Sequence, residues 1–348
     1  MKEKYAVSLC IIAVMISGIT GCSNTTTSNI NAGMDAIGIM DYETALASFE
    51  KAIVTGENKE EAYRGQGLAF MGLTQYEEAQ KALLEALNSH VGRPDALAFD
   101  INYYLAASYY KTGDLSQAAD VYSAILELKP EETQAYYLRG CAELDSNQYE
   151  KAIADYEAAM LLAPQDYDLF IDIFLKLDQN GYTDAGTVYL QTLLDENNEK
   201  MNLYDQGRIC YYLKDYENAR NHLEEARLDS NDADIITMLG KTYEALGDNN
   251  YAATIYTGYL KETQSADIWN RLGLCRMELE DYQSALEAFQ TGIKLNDAQM
   301  MQTLSYNEVV AYEYLQQYNQ AIVSMEAYLD KYPDDAKALR EYEFLKTR

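Results

Sequence analysis

Residues 269–289 read WNRLGLCRMELEDYQSALEAF. Two short patterns stand out: Trp269-x2-Leu272-Gly273 and, twelve residues after the glycine, Ala285-x3-Phe289. Spacings of three and four place residues on one stripe of a helix, so each half predicts a helix with a single apolar face. A small residue on one helix and a large one on the next suit a closely packed pair.

Outward from this stretch the same phase recurs along the chain. An alanine stands at 45, 79, 118, 152, 185, 219, 252, 285 and 321, in steps of 34, 39, 34, 33, 34, 33, 33 and 36. Four residues later comes a large apolar side chain: Phe49, Leu83, Tyr122, Tyr156, Tyr189, Leu223, Tyr256, Phe289 and Met325. Twelve residues before the alanine sits a small one, Gly33, Gly67, Ala106, Gly140, Gly207, Gly240 or Gly273, with Ile173 and Val309 as exceptions. Pro130, Pro164 and Pro333 each follow a phased alanine by twelve residues, where a second helix must stop.

A period near 34 with this phasing resembles the tetratricopeptide repeat, a helix–turn–helix unit. Repeat 8 departs from the pattern at Arg276, where an aromatic is expected, and repeat 5 has Asp172-Ile173 in place of Leu-Gly. The resemblance spans residues 32–333 and implies an all-α fold: a right-handed α-solenoid of about nine tetratricopeptide repeats. One helix pair cannot bury both its faces, so neighbours must stack. Residues 334–348 carry Ala338, Leu339, Tyr342 and Leu345 on one face and are expected to form a capping helix. The step of 39 places a longer connection at Asn88–Ala98, a candidate for a slight break in the superhelix.

The start of the chain reads as an address. Lys2 and Lys4 precede the short apolar run Ala6–Ile16, and residues 1–21 are expected to be a secretory signal peptide. Ile19-Thr20-Gly21-Cys22 resembles the bacterial lipoprotein signal, which implies a lipid on Cys22, attachment to a bacterial membrane and an extracytoplasmic location. Residues 22–31 are polar and aperiodic, a flexible tether. Cys141, Cys210 and Cys275 then remain, an odd set within predicted helices, better read as small buried residues than as a disulfide framework.

Composition narrows the function. The chain has 348 residues, 27 Lys plus Arg against 56 Asp plus Glu, and a net charge of −29. Nucleic acid is excluded as a direct partner, because its phosphates need cations this chain lacks. Two histidines, His90 and His222, with no motif phased to either, argue against an enzyme, and no cofactor is implied. The segment Asp229–Asp234 lacks the turn glycine and downstream glutamate of a calcium loop and reads as a turn.

Of 32 tyrosines, 18 fall at repeat-packing positions when the phased alanine is numbered 20. In tetratricopeptide proteins, positions 2, 5, 6, 9, 12 and 13 of the first helix usually face a concave groove. Ten tyrosines fall there, and position 5 carries a run: Tyr103, Tyr137, Phe170 and Tyr204 in successive repeats, then Tyr306. The run reads either as an aromatic ladder gripping an extended segment or as packing between neighbouring first helices. Arg208 and Lys241, both at position 9 and beside Tyr204 and Tyr211, could together hold a carboxylate or be ordinary solvated cations. The expected function is a lipid-tethered scaffold for a protein or peptide partner. A surface glycan-binding lipoprotein and an assembly factor for an envelope complex are the alternatives.

Overall fold

The computed structural model describes residues 28–197 and 199–348, so the signal segment and Cys22 lie outside the described residues. Among the described residues there are nineteen α-helices and no strand. They divide into two compact units, one ending at Leu162 and the other starting at Ala163. The boundary falls beside Pro164, not at the long 88–98 connection.

The first unit contains four helix pairs: α1 (Asn29–Gly38) with α2 (Tyr42–Thr55), α3 (Lys59–Gly72) with α4 (Tyr76–Ser89), α5 (Ala96–Thr112) with α6 (Leu115–Leu128), and α7 (Thr133–Asp145) with α8 (Tyr149–Leu162). The second contains five, α9 (Tyr167–Gln179) with α10 (Thr183–Asn197), α11 (Leu203–Tyr212) with α12 (Tyr216–Asp229), α13 (Ala233–Ala245) with α14 (Asn249–Leu260), α15 (Ala266–Glu278) with α16 (Tyr282–Lys294), and α17 (Met301–Tyr314) with α18 (Tyr318–Lys331). A last helix, α19 (Ala336–Leu345), follows them. Each unit is an α-solenoid, in which a pair packs on the next and successive first helices lie side by side.

The close approach within a pair has a direct measure. A Cβ built on Gly240 would stand 2.1 Å from the Tyr256 ring, one on Gly273 2.3 Å from Phe289, and one on Gly207 2.5 Å from Leu223. Gly33, Gly67 and Gly140 face Phe49, Leu83 and Tyr156 in the same way. These large partners are fully buried and cannot swing aside.

The turn within each pair repeats as well. Five residues before the small residue of the second helix the backbone is left-handed: Gly113, Gly181 and Gly247 in three repeats, and Met40, Thr74, Asn147, Lys214, Glu280 and Gln316 in the others. The next residue caps the second helix, and Asp41, Asp114, Asp215, Asp248 and Asp281 each accept a backbone N–H of its first turn. Helices α6, α8 and α18 end two residues before Pro130, Pro164 and Pro333.

Repeat 5 differs from the expected register by one residue. Gly186 and Leu190 are the buried pair of α10, whereas Ala185 and Tyr189 are half-buried. The left-handed Gly181 lies five residues before Gly186, as in every other repeat. A Cβ on Gly186 would meet Phe174 at 3.0 Å, so here the small residue is on the second helix and the large one on the first. Counted from Gly186, Phe170 moves from position 5 to position 4, a packing position, and is only 9 % exposed. It is therefore not a groove residue, and the run of position-5 aromatics is interrupted.

Two ends are also corrected. Helix α1 starts at Asn29, inside the expected tether, because Ser28 caps it and the Glu57 carboxylate accepts the backbone N–H groups of Asn29 (3.1 Å) and Ile30 (3.2 Å). In α19, Ala338 and Leu345 are buried against Val309, Met325 and Tyr328, with Tyr342 partly buried beside them. Leu339 is instead exposed, one position off that stripe. The three described cysteines are free and buried.

The packing makes a paired prediction. Gly240→Ala destabilises the chain by about 1–3 kcal/mol through overpacking against Tyr256. Gly258→Ala, in the last turn of α14 with open space around it, stabilises by up to about 1 kcal/mol through helix propensity. Denaturant titration of both variants checks this, and equal effects would refute the close-packing account.

Candidate functional site

In the second unit the N-terminal ends of α9, α11 and α13 frame an open cleft of about 610 Å3. Its walls carry Asp166, Asp168, Asp205 and Asp234, with Tyr167, Tyr204 and one cation, Arg208. The helix register places them: Asp168 and Asp234 hold position 2 of their repeats, Asp205 position 6 and Arg208 position 9.

Arg208 is already saturated. Its Nε lies 2.9 Å from Asp205 Oδ1, a second nitrogen bonds the same oxygen at 2.8 Å, and a third reaches Asp168. The guanidinium also sits 5.1 Å from the centre of the Tyr204 ring. Burial acts against its charge, but the two carboxylates hold its pKa above the ordinary value. Four carboxylates around one cation leave the cleft about three charges negative. Asp166 is occupied in capping α9 through the Leu169 N–H. Asp234 has no hydrogen bond or ion pair among the described residues.

Lys241, read with Arg208 either as a carboxylate clamp or as an ordinary cation, has Arg271, Asp267 and Glu244 as its charged neighbours. It is half-buried, and burial first, then Arg271, lower its pKa, while Asp267 and Glu244 act in the opposite direction. Arg271 itself is held by Asp267 at 2.8 Å. Arg208 is engaged by Asp168 and Asp205 and Lys241 lies beside Arg271, Asp267 and Glu244, which favours two separate cations over a joint carboxylate clamp.

The remaining candidates lean on their own fold. Tyr103 and Tyr137 pack against Tyr122 and Tyr156 of their second helices, with ring centres 6.1 and 6.2 Å apart. Tyr211 belongs to a cluster with Tyr212 and Tyr216 at 5.5 and 5.6 Å. Tyr306 touches Tyr328 at 5.8 Å and is covered by Lys337 of α19, whose Nζ is 4.3 Å from the ring centre. Tyr204 is the position-5 ring that lines the cleft. Sequence reasoning missed the aspartates around it. The available signal was the recurrence of acids at position 2, hidden in repeat 5 by the one-residue slip.

Comparison with known proteins follows this geometry. Family models described as tetratricopeptide repeat match residues 64–133, 133–166, 266–297 and 298–335. These stretches are tetratricopeptide repeats. The chain is similar to a TPR repeat-containing protein of Methanocaldococcus jannaschii, 24% identical over 253 residues that cover 68% of this chain and 43% of that protein. It is also similar to the Hsp70-Hsp90 organizing protein of Triticum aestivum, 24% identical and covering 53% of this chain and 39% of that one. The chain thus spans half or less of the length of these relatives. Among solved structures, a tetratricopeptide repeat protein from Parabacteroides merdae aligns with a TM-score of 0.46 at 16% identity, covering 74% of this chain and 98% of that one. A solenoid of such repeats is typical of protein or peptide binding, and no catalytic family is indicated.

One buried carboxyl in the first unit makes these repeats pH-sensitive. Arg139 grips Asp155 with two bonds of 2.7 Å, leaving Glu143 buried beside them with its Oε2 unpartnered. Burial, then the neighbouring Asp155 charge, push Glu143 up to about 7. Folded chains keep this proton to about pH 7, whereas unfolded chains release it near 4.5. Its contribution to stability is therefore complete below pH 4.5 and is lost as pH rises through 7. Glu143→Gln should melt a few degrees above the parent at pH 8 and level with it at pH 4.5. Melting temperatures that run parallel across this range would contradict the assignment.

Proposed function

We propose that this protein is a membrane-anchored, extracytoplasmic scaffold for a protein or peptide partner, and that the acidic cleft of its second unit receives a basic side chain of that partner. The observation that carries the reading is the cleft's composition: surplus carboxylates around an internally paired arginine, with Asp234 free. A lysine or arginine of the partner gains Coulomb attraction there and the face of Tyr204 beside it. The lipid on Cys22 supplies the anchor in this reading, supported by the lipobox-like Ile19–Cys22 and by a net charge that repels an anionic bilayer surface. Among the described residues no helix is long and apolar enough to cross a membrane.

Fluorescence anisotropy with a labelled Lys/Arg-rich peptide and its Asp/Glu-rich counterpart tests the cleft. The basic peptide binds, loses affinity with added salt, and binds Asp234→Lys at least about tenfold more weakly, a change of about 1.4 kcal/mol. Equal binding of both peptides, or binding confined to a glycan array, would replace the reading. Separately, Cys22→Ser should abolish both incorporation of a labelled fatty acid and recovery in the membrane fraction. Membrane recovery unchanged by that substitution would remove the lipid from the proposal.

A further inference from the structure

The connection between α4 and α5 is the one that lengthens the repeat step to 39. Its extra residues include His90, Arg93 and Asp95, and the chain reverses through Gly92, whose φ of 115° only glycine adopts without strain. The reversal brings His90 and Asp95 back onto Glu60 in the first turn of α3. One ligand atom from each of Glu60, His90 and Asp95 lies within 4.8 Å of the other two.

The imidazole is held from both sides. Its Nε2 faces the Arg93 carbonyl oxygen at 3.0 Å. A carbonyl only accepts, so Nε2 carries a hydrogen. Nδ1 then faces Glu60 Oε1 at 2.8 Å. Two lone pairs do not rest that close unless a cation lies between them, either a proton on Nδ1 or a metal ion. A histidine that donates one N–H to a backbone carbonyl and offers its other nitrogen is the usual arrangement of a metal ligand. Asp95 caps α5 through Oδ1, accepted from the Ala98 N–H at 3.0 Å, which leaves its Oδ2 available. Glu60 and His90 side chains are each 14% exposed, whereas Asp95 is exposed, so an ion would have a sheltered side and a wet one.

We propose that Glu60, His90 and Asp95 form a binding site for a divalent transition metal of the zinc class, pinning the long connection to the start of α3. One imidazole with two carboxylates favours zinc over calcium or magnesium, which take all-oxygen shells. Ligand distances near 2.0–2.1 Å and a tetrahedral angle require about 3.3 Å between nitrogen and oxygen. The pair therefore opens by about 0.5 Å, a side-chain adjustment. Water completes the shell on the exposed side.

Zinc titration of the full chain, by calorimetry and by competition with a chromophoric chelator at pH 7.5, tests this. The expected result is one saturable equivalent per chain, at least tenfold weaker in His90→Gln and in Asp95→Ser. Serine keeps the α5 cap, so Asp95→Ser should melt like the parent without zinc and lose the rise in melting temperature with zinc. No saturable binding by the parent would overturn the proposal and leave Glu60–His90 a plain ion pair. Binding at parental strength by both variants would also overturn it, and would point to the buried cysteines.

Discussion

Everything in this fold depends on how closely two helices of one repeat can approach. In six pairs a glycine on the first helix leaves room for a fully buried large residue on the second, and any side chain there would overlap it. This contact sets the spacing within the pair. A tight spacing forces a sharp turn, and the turn needs a left-handed residue followed by a cap. Repeat 5 shows that spacing and not residue identity is conserved within the chain: it places glycine on the second helix at Gly186 and the large ring on the first at Phe174. The same volume is filled from the other side.

The two oddities of composition are connected. Several tyrosine hydroxyls are accepted by acids: Tyr256 bonds Glu244 at 2.7 Å, Tyr243 bonds Glu224 at 2.8 Å, Tyr328 bonds Asp335 at 2.6 Å and Tyr110 bonds Asp145. Acids also cap helices: eight aspartates do so, with Asp95, Asp166 and Asp335 (the acceptor for Tyr328 as well) joining the five at the inner turns. A share of the acids is thus structural. Within the cleft, Asp234 is the carboxylate with no hydrogen bond or ion pair among the described residues.

The helices, their pairing and their stops were legible in the sequence, because a repeated spacing of small and large residues constrains local geometry wherever it occurs. The candidate site was only partly legible. Tyr204 and Arg208 line the cleft, and Arg208 is paired with acids, the more ordinary of the two readings its sequence position allows. Its partner Asp168 is 40 residues away, in another repeat, and the one-residue slip at Gly186 disguises its position. The position-5 aromatics read equally as a ladder or as packing, and Tyr103, Tyr137 and Tyr306 rest on second-helix rings.

By itself, then, the sequence determined the repeat, its phase in eight of nine copies, and an excess of negative charge. Only the tertiary structure decided which charges cancel, which rings are covered, and that the connection at 88–98 folds His90 back onto Glu60. The reason is one of range. Helix formation and capping act within a few residues and leave a periodic trace. Charge pairing and burial also join residues in different helices, as in Glu60 with His90 and Asp168 with Arg208, 30 and 40 residues apart, at distances that a linear pattern does not encode.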